Sequence, residues 1–267
     1  MGLAERTIDF FLSAFRFPGL DWWLVLVAIG LGLAFGAVWL SLYRPPLHKR
    51  PWLFLAVAVL AAFLTWTAVA FVQIPLQTWT QQALLHFWSS ATLTRWLLLA
   101  GAPLVLLSGL VQEGAKLVPV VFYWLGRHRH LSLRDGLFVG AIAGAGFGVF
   151  EAVWVHNSVF AAGWTWHSVE TSGVLALIAF WERFFTVGFH IAVSALSGYG
   201  LARGWGWQFY LLASVLHGAA NYAVVLLSKG LLSSNQTEIY IAVFAAVLTA
   251  VILWLRARYR PAGEAAA

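Results

Sequence analysis

The chain has 267 residues, of which only 16 are Lys or Arg and 10 are Asp or Glu, while 61% are hydrophobic and the mean hydropathy is +0.82. Soluble domains carry roughly 25% charged residues, so this composition excludes a soluble globular enzyme, a disordered chain and a nucleic-acid binder. The absence of cysteine excludes disulfides, thiolate metal sites and cysteine nucleophiles.

A membrane span needs about 20 mostly apolar residues. Taken in chain order, the segment 5–17 comes first, pairing Phe10, Phe11, Leu12, Phe15 and Phe17 with Glu5, Arg6, Asp9 and Arg16; it reads as a helix lying in the lipid interface. The following apolar run is too long for a secretory signal, and no small-residue cleavage site follows it. Seven spans are then expected, at 20–43, 52–73, 96–125, 134–156, 172–202, 207–227 and 237–258. The polar stretch Gln73–Thr94 reads as the longest external loop. No internal repeat or soluble module interrupts the pattern, so the expected fold is an all-α polytopic bundle forming one integral membrane domain over 1–267.

Basic residues set the topology. Arg44, Lys49, Arg50, Arg127, Arg129, Arg134, Arg203, Arg256, Arg258 and Arg260 fall on one side, against Arg6, Arg16, Arg95 and Lys229 on the other. By the positive-inside rule the N-terminus lies outside and the C-terminus in the cytoplasm. The sixteen tryptophans suit two lipid interfaces. Arginines among them make His128 and His130 solvated loop residues, and His86, His156 and His167 are expected in or beside external loops.

Charge at membrane depth is costly and usually faces a cavity or a partner. Five such residues are expected, Glu113, Lys116, Glu151, Glu182 and Arg183, in the company of His190, His217 and Asn221. Counting about 1.5 Å per residue, Glu113 and His190 both lie roughly 18 Å from the cytoplasmic ends of their helices, and His217 about 15 Å. Asn221 shares the His217 face one turn on, and Lys116 sits at i+3 from Glu113. Glu151 and Arg183 fall at similar heights, which makes them an ion pair fixing helix register. Gly140, Gly144 and Gly148 form a strip for close helix packing. One carboxylate and two imidazoles at one depth suit two chemistries. Glu113 and a histidine could deprotonate a water while His217 and Asn221 stabilise the oxyanion. Alternatively Glu113, His190 and His217 could hold a zinc ion that activates the water. The chain has no intramembrane pair of aspartates, no H-E-x-x-H motif and no serine in a nucleophile-like glycine context.

In order, Gln112-Glu113-x-x-Lys116, Gly144-x-Gly146-Phe147-Gly148-x-x-Glu151, Glu182-Arg183 with His190, and His217-x-x-x-Asn221 resemble the motifs of the PrsW/YhfC proteins, which group with the type II CAAX prenyl proteases and the APH-1 scaffold. The resemblance covers about 110 residues, within a motif-bearing core of four spans over 96–227. It implies an intramembrane peptidase of the bacterial-type plasma membrane. Glu113 would be the water-activating acid, His190 and His217 its catalytic partners and Asn221 the oxyanion support, with Lys116, Glu151 and Arg183 supporting. Three features depart from the wider superfamily: Gln112 replaces the first of paired glutamates, Lys116 stands three residues after Glu113 where the CAAX form has arginine four after, and Thr186 replaces phenylalanine four before the histidine. They favour the PrsW/YhfC branch over a prenyl-substrate enzyme. The expected partners are the lipid bilayer and a membrane protein or peptide substrate, cut near the cytoplasmic leaflet. A transporter or channel with a polar pathway, or a non-catalytic scaffold, are the alternatives.

Overall fold

Hydrophobic composition without β-strand alternation leaves helices as the way to satisfy the backbone inside lipid. The computed structural model describes residues 3–45 and 51–258, and every regular element in them is helical. The helices are α1 (Leu3–Ser13), α2 (Trp22–Tyr43), α3 (Pro51–Ala68), α4 (Ile74–Phe87), α5 (Ser90–Arg95), α6 (Leu97–Gly126), α7 (Leu133–Ala161), α8 (Trp166–Ser172), α9 (Ile178–Ala202), α10 (Gly206–Ser228) and α11 (Ser234–Arg258). A π-helical turn, Val69–Gln73, joins α3 to α4, and a 3₁₀ turn, Gly173–Leu177, joins α8 to α9. Seven stretches among the described residues are long and apolar enough to cross a membrane: Trp22–Tyr43, Pro51–Phe87, Leu97–Gly126, Leu133–Ala161, Trp166–Ala202, Gly206–Ser228 and Ser234–Arg258. Large apolar side chains such as Leu33, Leu55, Val59, Val243 and Val251 line the outside. A surface of that kind suits lipid rather than water. Lys49, Arg50 and Arg260, three of the residues that set the expected topology, lie outside the described residues.

Two elements differ from expectation. Gln73–Thr94 is mostly helix, not loop. Its polarity masked good helix formers, and the hydroxyls of Thr78 and Thr80 bond back to the carbonyls of Ile74 and Leu76. The segment expected to lie in the interface is helical as α1, yet its aromatic side chains pack on protein. Phe10 stacks on Trp66 and Phe11 on Phe150, with centroids 5.1 and 4.8 Å apart, and Asn157 Nδ2 donates to the Ala14 carbonyl at 2.9 Å.

Packing is organised around α7, which is buried on all sides along most of its length. Small residues make this possible. A Cβ on Gly140 or Gly144 would collide with the backbone of Ser194 or His190 on α9, and one on Gly146 with Ala58 on α3. From α2, a Cβ on Gly36 would meet Val149 at 2.6 Å. A second close approach joins α6 to α10, where a Cβ on Gly109 would collide with the carbonyl of Ser214. Backbones meeting this closely fix the rotation of each helix about its own axis. The α7–α9 contact aims His190, and the α6–α10 contact brings Glu113 to His217.

Candidate active site

The site is assembled from the middle of four helices. Glu113 and Lys116 come from α6, Glu151 from α7, His190 from α9 and His217 from α10. Glu113, Lys116, His190 and His217 are each at most 2% exposed. His217 donates from Nδ1 to Glu113 Oε1 at 2.6 Å. Lys116 Nζ donates to the same oxygen at 2.6 Å and lies 3.1 Å from His190 Nδ1. Among the described residues the other carboxylate oxygen, Oε2, is hydrogen-bonded by the Ser194 hydroxyl alone, at 3.4 Å.

Glu151 and Arg183 form the expected pair, with Nη1 to Oε2 at 2.9 Å. The same Glu151 oxygen also lies 3.1 Å from His190 Nε2. An ionised carboxylate can only accept, so Nε2 carries the proton and Nδ1 is left as a lone pair facing Lys116. Glu151 therefore orients a histidine as well as fixing register. Glu182, whose direction on the helix separates it from Arg183, has its carboxylate folded back onto that guanidinium, and the Thr186 hydroxyl donates to it at 2.9 Å. Asn221 Nδ2 donates to Ser108 Oγ at 2.7 Å, and Ser108 in turn donates to the Val105 carbonyl at 2.8 Å. That second bond uses the Ser108 hydrogen, so the Asn221 amide is held one way round, with one N–H left over.

A cavity of about 400 Å³ ends on this cluster. His190, His217, Glu151, Gln112 and Asn221 line it, whereas Glu113 sits behind the histidines. It runs along the first half of α9, the second half of α10 and the start of α11, reaching Ile178, Leu227 and Glu238. Those ends lie away from Arg203 and Arg256, so the cavity does not extend toward the arginine-rich end, where cleavage was expected.

The three candidate ligands are brought together: one atom each from Glu113, His190 and His217 lie within 4.8 Å of one another. Carboxylate and imidazole donors, buried and with one imidazole backed by a carboxylate, fit a divalent transition-metal site. Lys116 is the resident cation of the group. His156 is misplaced by the sequence: α7 continues past it to Ala161, and the ring is buried between Phe35 and Phe180, at 5.6 and 5.1 Å. Sequence reasoning weighed Ser108 only as a nucleophile and set it aside, and it passed over Ser194 and Glu238. Ser194 was detectable one turn from His190 on the same face; Glu238, at the edge of the seventh expected span, gave no signal of depth.

The family model for PrsW family intramembrane metalloproteases matches residues 49–253. No curated protein and no solved structure matches the chain. With most of its length covered by that one model, the chain belongs to the PrsW family of intramembrane metalloproteases.

Proposed function

We propose that the protein is an intramembrane endopeptidase that hydrolyses a peptide bond of a membrane-embedded or membrane-adjacent substrate at the Glu113–His190–His217 cluster. The observation that carries this is a cavity ending on two buried histidines, each hydrogen-bonded to its own carboxylate: His217 to Glu113 behind it, and His190 to Glu151 beside it in the cavity wall. Under the positive-inside rule the cavity opens toward the outer side, so substrate reaches the site from the outer leaflet.

Glu113, His190 and His217 would hold a divalent ion, and zinc suits this donor set. When bound, such an ion would polarise the scissile carbonyl and make its water more acidic. Glu151 would fix the His190 tautomer, and Asn221, held by Ser108, would offer its remaining N–H to the developing oxyanion.

A second reading is favoured by Lys116, whose ammonium already stands between Glu113 and His190. Here His217 is the general base, because it lines the cavity and Glu113 does not. Its Nε2 takes a proton from water as the water oxygen bonds to the carbonyl carbon. Glu113 stabilises the imidazolium through Nδ1. The C–N bond then breaks as the proton passes from Nε2 to the departing amine.

The test is cleavage of a quenched fluorescent single-span peptide by the full chain in liposomes, with products identified by mass. Glu113→Gln and His217→Asn should each abolish cleavage while melting stays cooperative. Unchanged cleavage in both variants overturns the proposal; proton flux across the same liposomes without any cleavage would favour a transporter.

A further inference from the structure

Two acceptor oxygens in residues lining the cavity have no donor among the described residues. Gln112 is 6% exposed and its Oε1 has no hydrogen-bond partner. Across on α11, Glu238 Oε2 is also buried without one. A buried acceptor left unmade costs about 1–3 kcal/mol, and such groups are rare in native proteins.

The orientation of Gln112 is set from outside the cavity by a chain of amides. The Leu104 carbonyl can only accept, so Gln77 must turn Nε2 toward it, at 2.8 Å. That leaves Gln77 Oε1 for Gln73 Nε2, at 3.4 Å, and Gln73 Oε1 for Gln112 Nε2, at 3.0 Å. Flipping Gln112 would set oxygen against oxygen, so its Oε1 is held on the side away from Gln73. Gln73 ends the π-helical turn, a feature frequent at functional sites.

The charged groups lining the cavity are Glu151, Glu182, Glu238 and Arg183. The one guanidinium is already bonded to Glu151 and Glu182, which leaves Glu238 in a cavity lined by three carboxylates and one guanidinium. A peptide that has left the helical state brings what is missing, because its backbone N–H groups have lost their internal partners and must be satisfied in a water-poor site.

We propose that the cavity recognises an extended peptide segment carrying a basic side chain, with Gln112 Oε1 accepting a backbone N–H and Glu238 receiving the ammonium or guanidinium. The peptide occupant rests on the peptidase reading above, and the proposal adds its chemical class. Gln112 and Glu238 are positioning and specificity residues rather than catalytic ones.

The experiment measures binding and cleavage separately, on the full chain in nanodiscs. The probes are three fluorescent single-span Leu/Ala peptides differing at one guest site beside the outer interface: Lys, norleucine or Glu. The parent should bind the Lys guest about tenfold more tightly than norleucine, a charge-assisted hydrogen bond's worth. Glu238→Gln should erase that preference, and Glu238→Lys should shift it to the Glu guest. Gln112→Leu should weaken all three by a similar factor, since a backbone contact ignores the guest. Equal binding of the three guests by the parent, or a Lys preference that survives Glu238→Gln, overturns the proposal. Charge-selective binding without cleavage would support recognition while removing the peptidase reading; cleavage with no charge selectivity would do the reverse.

Discussion

His217 Nδ1 and Glu113 Oε1 lie 2.6 Å apart, although 104 residues separate them in the chain. The contact places a carboxylate behind an imidazole that lines the cavity, and this arrangement governs how each residue should respond to substitution.

His217 and Glu151 are expected to fail in different ways. On the proposed reading in which His217 is the base, His217→Ala removes the group that would take the water's proton, and loss of a general base typically costs about 10²–10⁴-fold. Glu151→Gln leaves both histidines present but loosens His190, for which about 10–100-fold is typical of a ligand's supporting carboxylate. Steady-state kinetics on one peptide should place the Glu151→Gln loss in kcat, with KM little changed.

Lys116 should be coupled to Glu113. Replacing Lys116 by Met leaves a buried carboxylate short of its counter-charge, and breaking such pairs costs about 3–5 kcal/mol. The double variant Lys116→Met, Glu113→Gln should recover a large part of that. Thermal or denaturant unfolding of the four members of this cycle in one detergent measures the coupling, and additive losses would show that the pair does not act as a unit.

Gly144→Ala tests the packing that aims His190. The new Cβ would collide with the His190 carbonyl, whereas one at Gly30 would meet nothing within 4 Å. Overpacking of this kind costs about 1–3 kcal/mol. Gly144→Ala should lower the melting temperature and reduce cleavage together; Gly30→Ala should do neither.

Metal analysis separates the two chemical readings. If Glu113, His190 and His217 hold an ion, the purified chain should carry close to one equivalent by elemental analysis. His190→Ala and His217→Ala should each lose it, and Lys116→Met should retain it. Chelation should then lower both the melting temperature and the cleavage rate. Full cleavage by metal-stripped protein would instead favour the reading in which His217 is the base.

Much of the fold and part of the site follow from sequence order, because hydropathy and charge are properties of a segment's length. Seven apolar stretches in a chain with so few charges dictate a helical membrane protein. The depth of a residue along its helix is also one-dimensional, which is why Glu113, His190 and His217 could be grouped before any contact was known. Azimuth is not one-dimensional. Which way a helix face turns depends on where two backbones touch, and only packing at Gly109, Gly140 and Gly144 decides that. For this reason the tertiary structure alone placed Glu113 behind His217, joined Lys116 to His190, turned Glu151 toward His190 and folded Glu182 onto Arg183. The polar helix over Gln73–Thr94 was hidden for a related reason. Its glutamines look like loop residues until Leu104 and Gln112 come within reach and give their amides partners.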